Sequence, residues 1–298
     1  MRYARLGKTE INVSVVGVGT WQYGGEWAQQ FTQDQVDAII GNAKDLGINL
    51  IDTAECYGDH LSERLTGQAI RNLGGSRADW IIATKFGHHF HKPFERDDRF
   101  DAASVREQLD ASLEALQTDY VDLYQFHSGT DEHFDNDELW SMLNDEVKKG
   151  RIRHLGISIS SKRGAYQAEN AARVGASVLQ VVYNRIERKP EDDGTFEAVT
   201  EHDLGVLARV PLASGFLSGK YSADSTFDTN DVREVWGGDK RQQVLEEVEK
   251  VKGEVPNGVP MAQWALAWCL KHEAVTCVIP GCRNVEQVIS NAAAAEME

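Results

Sequence analysis

Four side chains in this sequence have the types and the placements needed to move a proton onto an oxygen atom. The stretch Asn49-Leu50-Ile51-Asp52-Thr53-Ala54-Glu55-Cys56-Tyr57-Gly58 is a short apolar run that ends in a carboxylate and is followed by a tyrosine beside a glycine. An unpaired carboxylate at the exit of a buried strand loses hydration, so Asp52 requires a cationic partner. The next apolar run, Trp80-Ile81-Ile82-Ala83-Thr84-Lys85, ends in one, and a third, Tyr120 to Phe126, ends at His127. A phenol with its ordinary pKa of about 10 is a poor proton donor at neutral pH. An adjacent ammonium favours the phenolate, so Lys85 is expected to lower the pKa of Tyr57, with Asp52 holding Lys85 protonated and in place. His127 can then donate a hydrogen bond to an oxygen bound beside Tyr57. Such a set is a general acid aimed at a carbonyl oxygen that gains negative charge. It contains no hydride donor, so a reduction needs a cofactor. Asp52 and Lys85 alone read equally well as a structural ion pair; Tyr57 and His127 at matching strand ends favour chemistry.

Three successive strands must deliver these groups to one edge of one sheet, and the remaining elements are consistent with that. Apolar, β-rich runs occur at Val15–Val18, Leu50–Ile51, Trp80–Thr84, Val121–Phe126, His154–Ile157, Val178–Val182, Val206–Arg209 and Thr276–Ile279. Helical periodicity appears between them at Thr32–Leu46, Leu61–Leu73, Ala103–Leu116, Asn136–Lys149, Arg163–Val174, Phe196–His202 and Met261–Lys271. Thr32 with Gln35 and Ser104 with Glu107 have capping-box spacing, and Gly47, Gly150 and Gly175 fall where helices should stop. A hairpin is expected over the first dozen residues, turning at Gly7-Lys8-Thr9. Near-continuous apolar strands alternating with helices predict a closed parallel (β/α)8 barrel with an N-terminal β-hairpin. The open, doubly wound alternative lacks a GxGxxG fingerprint after the first strand. From about Tyr221 to Gly258 the sequence reads as one long irregular loop over the C-terminal face.

Composition narrows the partners. With 298 residues, 41% hydrophobic and 26% charged, the chain is expected to form one globular domain over residues 1–298. A net charge of −16 argues against nucleic acid and anionic membranes, which require clustered Lys and Arg. No apolar run reaches the ~20 residues of a membrane helix, and the N-terminus lacks a signal peptide's apolar stretch, so a cytoplasmic location is expected. Cys56, Cys269, Cys277 and Cys282 form no CxxC pair and are expected to be reduced; Cys56 is either a small buried filler or an oxidation-sensitive thiol beside Tyr57. His88, His89 and His91 lack metal-site spacing, and no metal is expected. Trp21 and Tyr23, following the first strand, are candidates for the wall of a substrate pocket together with Tyr57 and His127, and Trp236 for a lid.

The motif Asn49-x-Ile51-Asp52-Thr53-Ala54-x-x-Tyr57-Gly58, with Leu6-Gly7-Lys8-Thr9 at the hairpin, resembles the aldo-keto reductases over nearly the whole chain. That resemblance implies the catalytic tetrad Asp52, Tyr57, Lys85 and His127, and NADPH bound in extended form on a barrel. It places Gly19, Thr20 and Trp21 against the cofactor, and Ser158 and Gln180 at the nicotinamide carboxamide. Pro211, Leu212, Ser214, Gly215 and Lys220 match the loop that wraps the pyrophosphate, where small residues expose backbone amides to an anion. Gly281, Arg283, Gln287 and Asn291 match the adenosine-binding segment, with Arg283 suited to a 2′-phosphate and so to NADP over NAD. Two positions depart from the pattern: Ile159 stands where an asparagine is common, and Arg209 where an aromatic ring is common. The implied activity is reduction of small aldehydes, ketones or sugars. The alternatives are a cofactor-binding regulatory subunit of the same fold and, more remotely, a non-redox barrel enzyme such as an isomerase. Substrate identity and oligomeric state have no signature in the sequence.

Overall fold

A computed structural model describes residues 1–297 except 163, 236 and 237. Eight strands form one parallel sheet in chain order: β1 (Val18–Gly19), β2 (Leu50–Asp52), β3 (Ile81–Phe86), β4 (Val121–His127), β5 (Ile152–Ser158), β6 (Ala176–Val182), β7 (Gly205–Arg209) and β8 (Cys277–Val278). The sheet closes on itself. Gly17 N donates to Val278 O at 2.8 Å, Gly19 N donates to Pro280 O at 2.9 Å, and parallel bridges join Val16 to Val278 and Gly19 to Gly281. The expected (β/α)8 barrel is therefore what these strands build.

Side-chain alternation along the strands divides the interior into two layers. Leu50, Ile81, Ala83, Leu123, Val178, Leu207 and Cys277 pack with Leu6 and Val13 into an apolar plug. Leu6 and Val13 come from the N-terminal hairpin, whose strands Tyr3–Arg5 and Asn12–Ser14 pair antiparallel. Ile51, Ile82, Tyr124, Phe126, Leu179 and Ala208 point the other way, into the larger core under the helices. One pleat period beyond the plug residues, the inward positions are Asp52, Lys85, Gln125, Gln180 and Arg209, all polar. The barrel is thus oily at one end and polar at the other, and the candidate site occupies the polar end, where parallel barrels keep their functional groups.

Several local expectations required correction. The helix Gln33–Asp45 has the predicted Thr32 capping box, but Ala102–Leu116 is capped by Asp101, whose side chain accepts from Ser104 N, rather than by Ser104. Among the described residues of the stretch predicted as helix from 163 to 174, only Tyr166–Glu169 is helical. Ala171 N and Arg173 N bond carbonyls three residues back, so the chain tightens into turns there. Tyr221 to Gly258 is not a plain loop: it contains the helix Gly238–Val251. Val244, Leu245, Val248 and Val251 supply that helix with one apolar stripe, masked in the sequence by surrounding charges. His88–Lys92 and Glu95–Asp98 form an unpredicted antiparallel hairpin beyond β3. Trp236, the predicted lid, lies outside the described residues. No helix among the described residues is long and apolar enough to cross a membrane.

Candidate active site

Lys85 lies at the centre of the polar layer and is fully buried. Its Nζ donates to Asp52 Oδ2 at 2.7 Å, to Thr53 O at 2.7 Å and to Tyr57 OH at 3.2 Å, which uses all three ammonium hydrogens. Asp52 Oδ1 accepts from Gln180 Nε2 at 2.7 Å and from Gln125 Nε2 at 3.2 Å. Lysine and carboxylate are thus both saturated, as buried charges must be. Tyr57 follows β2 in a turn packed backbone against backbone: a Cβ added to Gly24 would lie 2.5 Å from Tyr57 C, and Gly58, at φ +70°, would place one 2.7 Å from Gly24 O. Only glycine fits either position. The Tyr57 ring stacks near Trp21 at 6.3 Å and meets His127 edge-on at 6.1 Å.

Electrostatics here depart from the expectation for the phenol. Burial pushes the Tyr57 hydroxyl up to about 12, and the pull of Lys85 in the other direction only partly offsets it. Tyr57 therefore carries its proton at neutral pH. Burial alone would lower the pKa of Lys85, but Asp52 and Tyr57 beside it outweigh that and hold the ammonium above its usual value. His127 is driven well below its usual value by burial, and further by His88, Lys85, Arg96 and Arg209, so its imidazole is neutral.

These groups lie at one end of a cavity of about 630 Å³. Gly19, Thr20, Trp21, Asp52, Tyr57, His127, Gln180 and Arg209 line the end over the barrel, and Pro211, Leu212, Ser214, Gly215 and Lys220 continue the wall. Gly281, Arg283, Gln287 and Asn291 line it as well. Lys85 lies beneath the wall, and two residues predicted to face the cofactor or the substrate are elsewhere. Ser158 is fully buried behind Gln180, its hydroxyl 3.4 Å from Gln180 Oε1, and does not reach the wall. Tyr23 is also fully buried and packs on Phe31 with ring centroids 4.7 Å apart, so it supports the loop after β1 instead of lining a pocket.

Gln287 and Arg283 are engaged within the protein. Gln287 Oε1 accepts from Arg283 N at 2.9 Å, ahead of the helix Val285–Ala293. Arg283 Nη2 donates to Trp27 O at 2.8 Å and lies 3.6 Å from Asp231 Oδ2. Asp231 in turn takes Arg233 Nε at 2.7 Å and Nη2 at 2.6 Å. Sequence reasoning missed this contact between the loops after β1 and β7, where Val232 N also donates to Glu26 O at 3.0 Å. It equally missed Glu26, which is buried and accepts from Trp21 Nε1 at 2.5 Å, Arg96 Nη2 at 2.6 Å and Phe94 N at 2.9 Å. Glu26 lies seven residues past the end of β1, beyond the short helical turn Trp21–Gly24, so strand spacing did not mark it.

The cavity wall retains unused polar capacity. Arg209 Nη2 donates to Ile159 O at 3.0 Å, but buried Arg209 Nε and Gln22 Oε1 have no partner among the described residues. Gly281 approaches so closely that an added Cβ would lie 1.8 Å from Gln22 Nε2. Ala213 and Ser214 take left-handed φ of 46° and 56°, curling the wall over the cavity. Glu55, Cys56 and His127 place three potential metal-ligand atoms within 4.8 Å of one another, with Arg96 Nη1 donating to the sulfur at 3.3 Å. Chemically, the arrangement offers a protonated phenol beside an ammonium, a neutral imidazole, and a cationic cavity able to hold an anionic cofactor.

Residues 15–298 match the profile of the Aldo/keto reductase family. The chain is 31% identical over 307 residues to a protein from Arabidopsis thaliana described as a probable voltage-gated potassium channel subunit beta, covering 100% of this chain and 92% of that relative. Its fold superposes on the holo form of the aldo-keto reductase AKR11C1 from Bacillus halodurans with a TM-score of 0.83 at 29% identity, covering 100% and 92% of the two chains. The glycerol dehydrogenase AKR11B4 from Gluconobacter oxydans gives a TM-score of 0.81 at 28% identity, covering 97% and 89%.

Proposed function

The chain belongs to the aldo-keto reductase family, and on that premise we propose that it reduces small aldehydes or ketones with NADPH, residues 1–298 acting as one domain and Tyr57 as the general acid. The observation that carries this reading is the position of Lys85 Nζ, bonded at once to Asp52 and to the Tyr57 hydroxyl beside neutral His127. Bound nicotinamide supplies the hydride. As the carbonyl oxygen gains charge, Tyr57 hands it a proton, and the phenolate left behind is stabilised by the ammonium 3.2 Å away. Asp52 keeps that ammonium charged and aimed, with Gln125 and Gln180 occupying its second oxygen. His127 donates its ring N–H to the same oxygen. Water then restores the proton on Tyr57.

For the cofactor, unpartnered Arg209 Nε and Gln22 Oε1 are a donor and an acceptor facing the cavity, and Gly281 leaves room for a close approach. Lys220 and Arg283 supply the positive charge for phosphates, and Arg283 favours NADP over NAD. Arg209 lines the cavity and stands where the family commonly has an aromatic ring, so its guanidinium charge would repel an oxidised nicotinamide more than a reduced one. Arg209→Tyr is therefore expected to tighten NADP+ relative to NADPH by about threefold to tenfold. Fluorescence titration of both forms reads this, and an unchanged ratio of the two dissociation constants counts against it.

Gly24→Ala tests how Tyr57 is positioned. The new methyl must push on the Tyr57 backbone, and a displacement of about 1 Å lowers kcat about 10²-fold while NADPH binding stays near wild type. A variant with wild-type kcat would show that the turn tolerates the methyl without moving the phenol.

Steady oxidation of NADPH with a panel of aldehydes and ketones tests the activity itself. The likeness to a channel subunit beta favours one rival, a cofactor-binding protein that acts on a partner. Tight NADPH binding with no turnover on any carbonyl would favour that rival.

A further inference from the structure

We infer that Cys56, braced by Arg96, is a positioning residue that sets the tautomer of His127: its thiol hydrogen goes to Nδ1, so that Nε2 carries the ring proton offered to the substrate oxygen. This rests on the carbonyl-reductase reading for its purpose, though not for its geometry.

Cys56 is fully buried, and its Sγ lies 3.7 Å from His127 Nδ1, within range of a sulfur hydrogen bond. Distance alone leaves the direction open. Arg96 decides it, because Arg96 Nη1 is 3.3 Å from the same sulfur and a guanidinium can only donate. The sulfur therefore accepts from Arg96 and has its own hydrogen to give, and His127 Nδ1 is the acceptor in reach. With the roles reversed, the sulfur would receive two donors while its own hydrogen was left without a hydrogen-bond partner among the described residues. Burial also raises the Cys56 thiol pKa, which keeps that hydrogen on sulfur at neutral pH. A doubly protonated ring is disfavoured by the charges of Lys85, Arg96 and Arg209 and by His88, whose ring is 5.0 Å away.

Glu55 is the competitor. Its Oε2 is buried without a partner among the described residues, one of its carboxylate oxygens lies within 4.8 Å of a His127 ring nitrogen, and a carboxylate there would draw the ring proton to Nδ1. Burial pushes Glu55 up to about 8, so near neutral pH it is mainly a neutral acid and exerts little such pull. Arg96 is itself held by Glu26 at 2.6 Å, and Glu26 takes Trp21 Nε1 at 2.5 Å and Phe94 N at 2.9 Å. Two loops and the hairpin beyond β3 thus converge on one sulfur atom, and through it on the histidine.

Nitrogen-15 NMR of the intact protein labelled at histidine reads the tautomer directly, with the His127 signals assigned by their loss in His127→Asn. In the wild type, Nδ1 is expected to be unprotonated and Nε2 protonated, and Cys56→Ser keeps that pattern. Cys56→Ala is expected to give a tautomer mixture, with kcat for carbonyl reduction about tenfold or more below wild type, unchanged NADPH affinity, and recovery in Cys56→Ser. Should the alanine variant not fold, Cys56→Val fills the space without a donor. A wild-type ring protonated at Nδ1, or an unchanged tautomer in Cys56→Ala or Cys56→Val, overturns the inference. Because the spectra need no turnover, they give their answer even if no carbonyl is reduced.

Discussion

Tyr57→Phe is expected to lower kcat for carbonyl reduction by about 10²–10⁴-fold and to leave NADPH binding nearly unchanged. The substitution removes one oxygen from a site in which every other contact survives. Lys85 keeps Asp52 and Thr53 O as acceptors at 2.7 Å each, so the ammonium is not stranded, and the loss of stability is about 1 kcal/mol. The phenol held near 12 gives the experiment a second arm. Reduction starts from the protonated phenol, already the form present at neutral pH. Alcohol oxidation starts from the phenolate, so its rate should climb with pH through the alkaline range while reduction shows no matching rise. Retention of more than a few per cent of kcat in Tyr57→Phe would remove Tyr57 from the role of acid.

Lys85→Met has the larger expected effect on the fold. It leaves the Asp52 carboxylate inside the barrel with only the amides of Gln125 and Gln180, and breaking a buried pair from one side costs about 3–5 kcal/mol. Thr53 O also loses its donor. In the wild type the folded chain holds Lys85 above its ordinary value of 10.5, so its contribution is fully present below pH 10.5 and is lost only as the pH rises beyond that. The stability gap between wild type and Lys85→Met should therefore keep its Lys85 component throughout the neutral range. Adding Asp52→Leu removes the stranded charge and should recover most of the stability, as apolar replacements of buried ion pairs often do. Activity should stay about 10²-fold or more below wild type, because no ammonium remains to stabilise the phenolate. Denaturant unfolding and steady-state kinetics on the three variants separate the two roles. A double variant that regained wild-type kcat would show that the pair only holds the barrel together.

The polar upper layer was legible in the primary structure because strand alternation is local. Once Leu50, Ile81, Leu123 and Leu207 are assigned inward, period two carries Asp52, Lys85, Gln125 and Arg209 to the same side. Asp52, Lys85 and His127 could be named from the strand ends and Tyr57 from the loop that follows the first of them, whereas the cavity residues from Pro211 to Lys220 were named only through the resemblance to the aldo-keto reductases. Other features have no local signature. The helix Gly238–Val251 follows a weak apolar stripe that only its neighbours make meaningful. Glu26 meets Arg96 across 70 positions, and Arg283 meets Trp27 across 256, distances over which loop composition says nothing about contact. Ser158, expected against the cofactor, and Tyr23, expected in the pocket wall, are both buried and do not line the cavity, since orientation depends on what packs behind them. The phenol is the clearest instance. Spacing alone brings an ammonium to Tyr57, and that implies a lowered pKa; burial, set by residues gathered from the whole barrel, raises it more than the ammonium lowers it. Residue types and periodicity thus identify which groups meet, whereas their protonation and direction depend on how much water the assembled fold excludes.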